Sequence, residues 1–243
     1  MKTFKARALV IKETEAGESD KRLTLFCKDY GKLYIYARGA KKPKSKFMAA
    51  AQLFNWGDFI LSDGGNFYAL AQAEPIETFY SLREDYMRLC YAHYIAEICD
   101  KTLPDGTPAN ELLHLALTTI QKISLTAPRQ GAIVFLYRFF MINGIMPKTD
   151  ECSVCGAIAN SAAGGLCFCD EGFLCGSCVG KKAYRAPLGE GSYAAIKYIV
   201  SVSIKDAFLF RIGDKALLEL EQAARLYFNS HFRIKLKTLE FLT

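Results

Sequence analysis

Four cysteines in two closely spaced pairs are the residues of this sequence with the most specific chemistry. Cys152 and Cys155 form one C-x2-C pair, Cys175 and Cys178 form a second, and 19 residues lie between the pairs. Each pair places two sulfur atoms about one metal-ligand span apart, and two pairs close a tetrahedron of thiolates around Zn²⁺. Four thiolates leave no position open for water, so the spacing predicts one structural zinc ion per chain and no catalytic metal.

Two further cysteines, Cys167 and Cys169, lie between the pairs and leave the ligand set open. On a strand both would face the same way, so either could replace one of the four ligands, or both could pack as small apolar residues. Six of the nine cysteines fall within residues 152–178, and in a cytosolic chain such clustering indicates metal rather than a disulfide framework. A disulfide or redox pair is the alternative.

A cationic segment follows the third predicted strand. It carries five basic residues and no acidic residue in nine positions, namely Arg38, Lys41, Lys42, Lys44 and Lys46. Like charges at this density repel one another and persist more easily when a polyanion neutralises them. We therefore interpret the segment as a phosphate-binding loop, with a merely solvated loop as the alternative.

Aromatic residues precede this loop. Tyr34 and Tyr36 alternate with Leu33 and Ile35, so they should point away from the apolar face, and we expect Phe26 of the preceding strand to do the same. Rings beside cations are typical of single-strand nucleic-acid binding, in which bases stack on the rings and phosphates meet the cations. Packing of the rings against a helical domain is the alternative.

The elements that must position these residues are short strands followed by helices. Alternating apolar residues predict five antiparallel strands, at 3–11, 21–27, 32–37, 52–62 and 67–74. A closed barrel suits them because an open sheet would leave its edges bare, and a barrel that binds through its second and third strands has the arrangement of an OB-fold. Apolar spacing of three to four residues then predicts helices, from Thr78 or Ser81 to about 101, and over 111–123, 130–142, 189–201 and 215–232.

These elements indicate a multi-domain α+β protein in four segments. Residues 1-78 form the five-stranded OB-fold barrel and residues 79-149 the first part of an α-helical domain. Residues 150-182 form a zinc-finger insert of the four-cysteine type, and residues 183-243 the second part of the helical domain.

The composition is that of a globular protein with a polyanionic partner at one end. Of 243 residues, 51% are hydrophobic and 23% charged, and the net charge is +6. Residues 1–50 alone hold 13 Lys and Arg against 5 Asp and Glu. No apolar run reaches the roughly 18 to 20 residues of a membrane helix. We expect a cytoplasmic protein with no membrane partner.

The sequence resembles the RecO family of bacterial recombination and DNA repair proteins. The stretches that carry the resemblance are Ala6–Ile11, Glu18–Phe26, Tyr30–Leu33 and Ala37–Ser45, followed by a helical body split by the cysteine insert. The resemblance implies binding of single- and double-stranded DNA, annealing of complementary strands and a nucleoid-associated location. It also implies partnership with RecR and with the C-terminal tail of single-stranded DNA-binding protein, and help in loading RecA.

Two other functions compete with that of a non-catalytic mediator. A metal-dependent nuclease needs carboxylates that can hold Mg²⁺, and Asp58, Asp63 and Glu74 are its candidates. A zinc-stabilised protein adaptor would bind partners through the insert and leave the basic loop incidental. We expect no catalytic residue and no small-molecule substrate.

Four further basic residues are candidates for binding a partner. Arg138, within the apolar predicted helix 130–142, is a candidate for binding the acidic peptide tail, and a buried ion pair explains it equally well. Lys181, Lys182 and Arg185, just beyond the insert, are second candidates for a DNA contact.

Overall fold

A computed structural model of the chain describes residues 2–65, 67–159, 166–169, 172–178 and 186–242. The second candidates for a DNA contact, Lys181, Lys182 and Arg185, lie outside the described residues. The side chains of Cys167 and Cys169 also lie outside the described part of the chain.

Five strands form the predicted closed barrel at the N-terminus. They are β1 (Thr3–Ala16), β2 (Asp20–Cys27), β3 (Gly31–Ala37), β4 (Trp56–Asp63) and β5 (Tyr68–Glu77). The strands are hydrogen-bonded in the order β1-β2-β3-β5-β4, and β4 pairs with β1 to close the barrel. The prediction of purely antiparallel strands is wrong for one pair, because β3 and β5 run parallel, while the other neighbours are antiparallel. Closure pairs the strands that an open sheet would leave at its edges.

The barrel core comes from alternate residues of the strands and from the long connection between β3 and β4. Val10 of β1, Leu25 of β2 and Phe59 of β4 are buried together in one cluster. Phe47 and Ala51 of the β3–β4 connection join the same cluster. The connection that carries the cationic loop is therefore packed into the barrel.

Two helices belong to the same unit as the barrel. They are α1 (Tyr86–Thr102) and α2 (Asn110–Leu125), and a 3₁₀ helix at Tyr80–Glu84 precedes them. α1 packs against β1, α2 and a C-terminal 3₁₀ helix at Lys237–Phe241. No sequence pattern indicated that the C-terminus would lie against the first helix.

The cap of α1 differs from the prediction. Thr78 or Ser81 was expected to begin this helix, but Asp85 caps it, with an extended backbone and a carboxylate that accepts from Arg88 N at 2.8 Å. The 3₁₀ helix takes up the residues before Asp85, so the α-helix begins later than the apolar spacing indicates.

A glycine allows the segment after α1 to approach β3 closely. Gly31 begins β3 with φ +64°, and a Cβ at this position would lie 2.0 Å from Thr107 O. Gly106 N donates to Lys32 O at 3.1 Å in the same contact. Any side chain at position 31 would push this segment away from the barrel.

The second unit is helical and carries the cysteine insert. Its elements are α3 (Pro128–Ile142), β6 (Leu166–Cys169), β7 (Gly172–Leu174), β8 (Ala186–Leu188), α4 (Glu190–Ser201), a 3₁₀ helix (Asp206–Phe208) and α5 (Asp214–Phe232). α3 packs against α4 and α5 and is buried almost all round, as its apolar sequence predicts. Its Phe139 ring lies 6.0 Å from that of Phe228 and 5.4 Å from that of Phe232.

The chain forms two compact units that do not follow the sequence order. Met1–Leu125 and Leu236–Thr243 make up one unit, and Thr126–Lys235 makes up the other. The four-segment division read from the sequence stays a prediction. Within the described part of the chain, no helix is both long and apolar enough to cross a membrane.

Candidate metal centre and nucleic-acid interface

The four paired cysteines come together in space. The sulfur atoms of Cys152, Cys155, Cys175 and Cys178 all lie within 4.8 Å of one another. Cys155 Sγ is 3.7 Å from Cys175 Sγ, and sulfurs bound at ~2.3 Å to a tetrahedral zinc ion lie about 3.8 Å apart. The cluster therefore has the dimensions to hold a metal ion, and its thiol donors suit a soft ion such as Zn²⁺.

Backbone hydrogen bonds fold each cysteine pair into a tight turn. In the first turn Gly156 N donates to Cys152 O at 2.9 Å, and Cys152 N donates to Ala157 O at 2.7 Å. Gly156 has φ +69°, a conformation that favours glycine. In the second turn Cys178 N donates to Cys175 O at 2.9 Å. Local bonds thus aim the two sulfurs of each pair to the same side.

Phe173 and Tyr193 join the cysteine cluster to α4. Phe173 O accepts from Ser153 N at 2.9 Å and from Ser153 Oγ at 3.1 Å, and the Phe173 ring meets the Tyr193 ring edge-on at 5.5 Å. The Tyr193 hydroxyl donates to Thr149 O at 2.7 Å and to Ala159 O at 3.3 Å. The first cysteine turn is therefore held from both of its sides by a residue of a helix.

The surroundings of Cys152 and Cys178 move their pKa values in opposite directions. Burial disfavours the Cys152 thiolate, but hydrogen bonds from the backbone of Cys175, Cys155 and Val154 outweigh burial and lower the pKa of Cys152 to about 6. Burial and hydrogen bonds with neighbouring sulfurs raise the pKa of Cys178 to about 12. A divalent ion would replace the protons that such sulfurs retain, so metal binding here is coupled to proton release.

Tyr34 and Tyr36 lie on the outer face of the barrel, each with a cation at its side. The register pairs Tyr36 with Arg22 and Tyr34 with Thr24. The Arg22 guanidinium is 5.1 Å from the centre of the Tyr36 ring, and Lys32 Nζ is 5.7 Å from that of Tyr34. Tyr34 is 51% exposed. The two rings therefore offer flat apolar surface next to positive charge.

Phe26 is not part of this surface, contrary to the prediction. It is fully buried, although the register places it beside Lys32 on the same face. Lys32 is itself buried, and its ammonium donates to Asp100 O at 2.7 Å and pairs with Asp105 Oδ1 at 3.2 Å. The end of α1 and the turn after it lie over this part of the face. The alternative interpretation, in which a ring packs under a helix, therefore applies to Phe26.

A groove of about 830 Å³ runs over the outer face and adds residues that the sequence did not single out. Arg22 and Phe67 both line it, and the Phe67 ring meets the Tyr36 ring edge-on at 5.3 Å. Phe67 lies in the β4–β5 turn and reaches the groove because β5 runs parallel to β3. Two carboxylates, Asp63 and Asp105, also line the groove.

The loop after β3 is anchored by buried residues and exposes cations between them. Ala40 and Phe47 are buried in the barrel core. Arg38, Lys42 and Lys44 are exposed, and among the residues that the structure describes none forms an ion pair with them. The loop is therefore fixed in place, and three of its five cations are available to a phosphate.

The other two loop cations already have partners. Lys41 Nζ lies 3.1 Å from Glu15 Oε2. Lys46 Nζ donates to Ala71 O at 3.2 Å and lies 4.9 Å from the centre of the Phe47 ring. Exposed ion pairs contribute little free energy, so a phosphate can compete with Glu15 for Lys41.

Comparison with known proteins covers both units. The family model described as "Recombination protein O N terminal" matches residues 1–79, and that described as "Recombination protein O C terminal" matches residues 83–240. The chain belongs to the RecO family. The resemblance found in the sequence is thus confirmed, together with the fold class of an N-terminal five-stranded barrel and a helical part that carries the cysteine cluster.

Several proteins named "DNA repair protein RecO" align along all or nearly all of the chain. That of Acetivibrio thermocellus is 31% identical and the alignment covers 100% of this chain and 97% of that protein. That of Pelotomaculum thermopropionicum is 31% identical, with 100% and 94% covered. That of Bacillus mycoides is 27% identical, with 98% and 96% covered.

In this RecO family member two of the three carboxylates considered for a nuclease, Asp58 and Asp63, are engaged in other contacts. Asp58 accepts from Arg7 Nε at 2.7 Å and pairs with Lys5 Nζ at 2.8 Å. Arg7 and then Lys5 hold the pKa of Asp58 well below its usual range. Asp63 Oδ1 accepts from Gly65 N at 2.8 Å within the β4–β5 turn. Glu74, the third candidate, lies opposite Asp58 in the β4–β5 register, but among the described residues no group of three or more carboxylates lies close enough together to hold a metal ion.

Arg138 of this RecO family member is half-buried in α3 without a carboxylate partner in the described part of the chain. It donates to Val202 O, the residue after α4, and its Nε is buried with no acceptor among the described residues. Burial lowers the pKa of Arg138. The ion pair considered from the sequence is therefore not present among these residues.

Proposed function

We propose that this RecO family member is a recombination mediator that binds single- and double-stranded DNA on the outer barrel face and the adjoining loop. The observation that carries the proposal is the position of two rings on β3, the half-exposed Tyr34 and the partly buried Tyr36, just before the exposed cations Arg38, Lys42 and Lys44 of the following loop. Bases stack on the rings, and phosphates meet the cations.

The same surface accounts for annealing without a catalytic residue. Two complementary strands repel each other through their phosphates, and a cationic surface that binds both screens this repulsion. Lys41 and Lys46 add to the surface once a phosphate displaces Glu15 or Ala71 O from them. The reaction breaks no covalent bond, so it needs neither a nucleophile nor a metal-bound water.

The proposed protein partners follow from membership of the family. We propose that the chain acts with RecR and with the C-terminal tail of single-stranded DNA-binding protein, and that it helps to load RecA on DNA. Arg138 is our candidate for the acidic tail, because this half-buried cation has no carboxylate partner in the described part of the helical unit. These roles belong to the cytoplasm, at the nucleoid.

The proposed metal is one structural zinc ion per chain, held by Cys152, Cys155, Cys175 and Cys178. The support is the match between the sulfur separations and a zinc tetrahedron. Four thiolates around the ion leave no coordination position for a substrate. We therefore expect the ion to stabilise the fold of the insert and to have no catalytic role.

The proposal is tested by the salt dependence of DNA binding. Arg38, Lys42 and Lys44 are replaced with Ala, and a labelled single strand is titrated at several salt concentrations. Each neutralised phosphate contributes about 0.7 to the slope of log K against log salt, so the triple variant should flatten this slope by roughly 2. The loss should be similar for different sequences, because phosphates carry no base identity.

A variant with the same change of charge elsewhere serves as the control. Lys28, Lys205 and Lys215 are exposed and lie outside the loop, and their replacement with Ala should leave the slope nearly unchanged. Equal slopes for the two triple variants would contradict the proposal and favour the protein adaptor. Cleavage of the labelled DNA in the presence of Mg²⁺ would favour the nuclease.

A further inference from the structure

A second cavity lies in the N-terminal unit, between β1, α1 and the C-terminal 3₁₀ helix. Its volume is about 690 Å³, which is within the range of small-ligand pockets. Its apolar lining comes from Ile11, Leu53, Phe54, Leu89 and Ala96. The DNA-binding face proposed above does not include these residues.

The acidic residues that line this cavity all form ion pairs with lysines. Three carboxylates line it, and each has a cation within hydrogen-bonding distance. The pairs are Asp100 with Lys12 (2.7 Å), Glu97 with Lys101 (2.8 Å) and Glu13 with Lys21 (2.7 Å). Two further cations, Arg83 and Lys237, line the same cavity. The lining therefore has an excess of positive charge.

Arg83 is positioned by backbone carbonyls rather than by a carboxylate. Its two terminal nitrogens donate to Leu53 O at 2.9 Å and to Thr78 O at 3.3 Å. Within the described ranges no acidic residue pairs with Arg83 or with the Lys237 ammonium. A guanidinium held in this way keeps its charge and donor groups for an outside anion.

A strained aromatic residue and a histidine form one wall. Phe54 is buried with φ +66°, a conformation that costs free energy for any residue with a side chain. Its amide donates to Val10 O at 2.9 Å, which holds it in this conformation. The Phe54 ring meets the His93 ring edge-on at 5.3 Å, and His93 keeps an exposed side.

Burial at the cavity wall favours the neutral form of His93. Its packing at the cavity wall lowers the pKa of His93 from its ordinary value, and Arg83 acts in the same direction while Glu13 opposes them. A planar group can stack on a neutral imidazole without the cost of removing water from a charged ring.

We propose that this cavity binds a nucleotide unit, with the base against His93 and the apolar lining and the phosphate on Arg83 and Lys237. The His93 ring and the apolar lining suit a planar apolar group such as a base. The cations Arg83 and Lys237 suit an anion attached to that group. Lys12 lines both this cavity and the groove on the outer face. The two sites therefore adjoin, so the nucleotide can be free or can be the end of a strand.

Calorimetry with small probes tests the site on the full chain. Deoxyadenosine monophosphate should bind saturably, whereas deoxyadenosine, which lacks the phosphate, should bind at least about tenfold more weakly because a charged hydrogen-bonded contact is lost. An oligonucleotide with a 5′-phosphate is compared with the same strand carrying a 5′-hydroxyl. A preference for the phosphorylated strand without binding of the free nucleotide would identify the strand end as the source.

Three variants locate the binding. Arg83→Gln, Lys237→Gln and His93→Ala should each weaken nucleotide binding, the first by about tenfold or more, while Lys28→Ala, a control outside the cavity, should not. Thermal melting shows which variants fold. In the wild-type chain, shifts of the NMR resonances of the His93 ring on addition of the nucleotide locate the ligand without any variant. Tyr34→Ala should leave the binding of deoxyadenosine monophosphate intact, which separates the site from the DNA-binding face.

Three results would overturn the proposal. The first is the absence of binding by both the mononucleotide and the phosphorylated strand end. The second is binding that all three cavity variants leave unchanged. The third is an acidic peptide that binds with the sensitivity to variants expected here for the nucleotide, while nucleotides do not bind.

Discussion

Tyr34 combines an open ring with a fixed orientation. Its hydroxyl donates to Asp105 Oδ1 at 3.1 Å, and Lys32 Nζ lies near both groups. The ring is therefore held upright on β3 while half of its surface stays exposed. In the proposed DNA-binding face, a ring ordered in this way would lose less conformational entropy on stacking with a base.

At this scale we expect the tyrosines and the loop cations to affect DNA binding differently. Tyr34→Ala or Tyr36→Ala should each weaken single-strand binding by about 1 to 3 kcal/mol, because one stacked base is lost. The slope of log K against log salt should change little, because neither ring neutralises a phosphate. Titration at several salt concentrations measures both quantities.

Tyr80→Ala is the matched control for the tyrosine variants. Tyr80 is 66% exposed and lies outside the groove, so its loss should leave the affinity unchanged. Affinity that Tyr34→Ala and Tyr36→Ala leave at the wild-type value would show that no base stacks on this face.

The cysteine turns are the elements that we expect to depend most on the proposed zinc ion. The described part of the insert contains short strands, and the buried cluster that includes the sulfurs is formed by Cys152, Leu174 and Cys178. So small a cluster buries little apolar surface, and metal binding should supply a large share of the folding free energy of the insert.

Cys175→Ser should release the metal and loosen the insert while the barrel stays folded. A hydroxyl is a poor substitute for a thiolate, so the tetrahedron loses one of its four bonds. Metal content by mass spectrometry and protection of backbone amides from hydrogen exchange measure the two effects. The free energy of unfolding of the insert should fall by several kcal/mol, given the size of zinc-binding free energies.

Cys167→Ser and Cys169→Ser are the matched controls for the metal assignment. Both residues lie between the cysteine pairs on β6, and each variant should keep one zinc ion per chain. If Cys175→Ser keeps the full metal content and either control loses metal, Cys167 or Cys169 of β6 is a ligand in place of Cys175.

The first unit is completed by residues from the opposite end of the sequence. Glu97 of α1 accepts from Lys237 N and Thr238 N at 2.9 Å each and from Thr238 Oγ1 at 2.6 Å, and it pairs with Lys101 at 2.8 Å. Burial opposes the Glu97 carboxylate, but Lys101 and these donors outweigh burial and lower the pKa of Glu97 to about 2. One carboxylate therefore fastens the end of the chain to the barrel unit.

This fastening should make the attachment of the C-terminus depend on pH. The pKa of Glu97 is about 2 in the folded chain against an ordinary value of 4.5. Its stabilisation is thus fully present above pH 4.5 and lost as the pH falls toward 2. Glu97→Gln should cost on the order of 1 to 3 kcal/mol near neutral pH and remove the change within this window. Thermal melting and exchange of the Lys237 and Thr238 amides measure it.

Glu84→Gln is the control for the pH experiment. Glu84 is exposed at the end of the 3₁₀ helix before α1, so its neutralisation should leave amide exchange at the C-terminus unchanged. Identical acid sensitivity in Glu97→Gln and the wild-type chain would show that Glu97 does not fasten this segment.

The sequence by itself determined the local features of the protein. Each cysteine pair forms its turn through bonds within a few residues, so spacing predicted that the sulfurs of Cys152, Cys155, Cys175 and Cys178 lie together, as they do. It left Cys167 and Cys169 open as alternative ligands. Strand alternation likewise predicted the barrel, because one side of each strand must be buried as the barrel closes. The cationic loop could also be predicted, because its charged residues are close together in the sequence.

Only the tertiary structure decided which side chains stay open once distant segments meet. Phe26 alternates like Tyr34 but is buried, because the end of α1 lies over its part of the face. Arg22 and Phe67 join the face through strand register and the parallel β3–β5 pairing. The docking of residue 238 on Glu97 links positions 141 apart. Contacts between segments so far apart leave no periodic pattern in either segment, because each depends on the geometry of the folded chain.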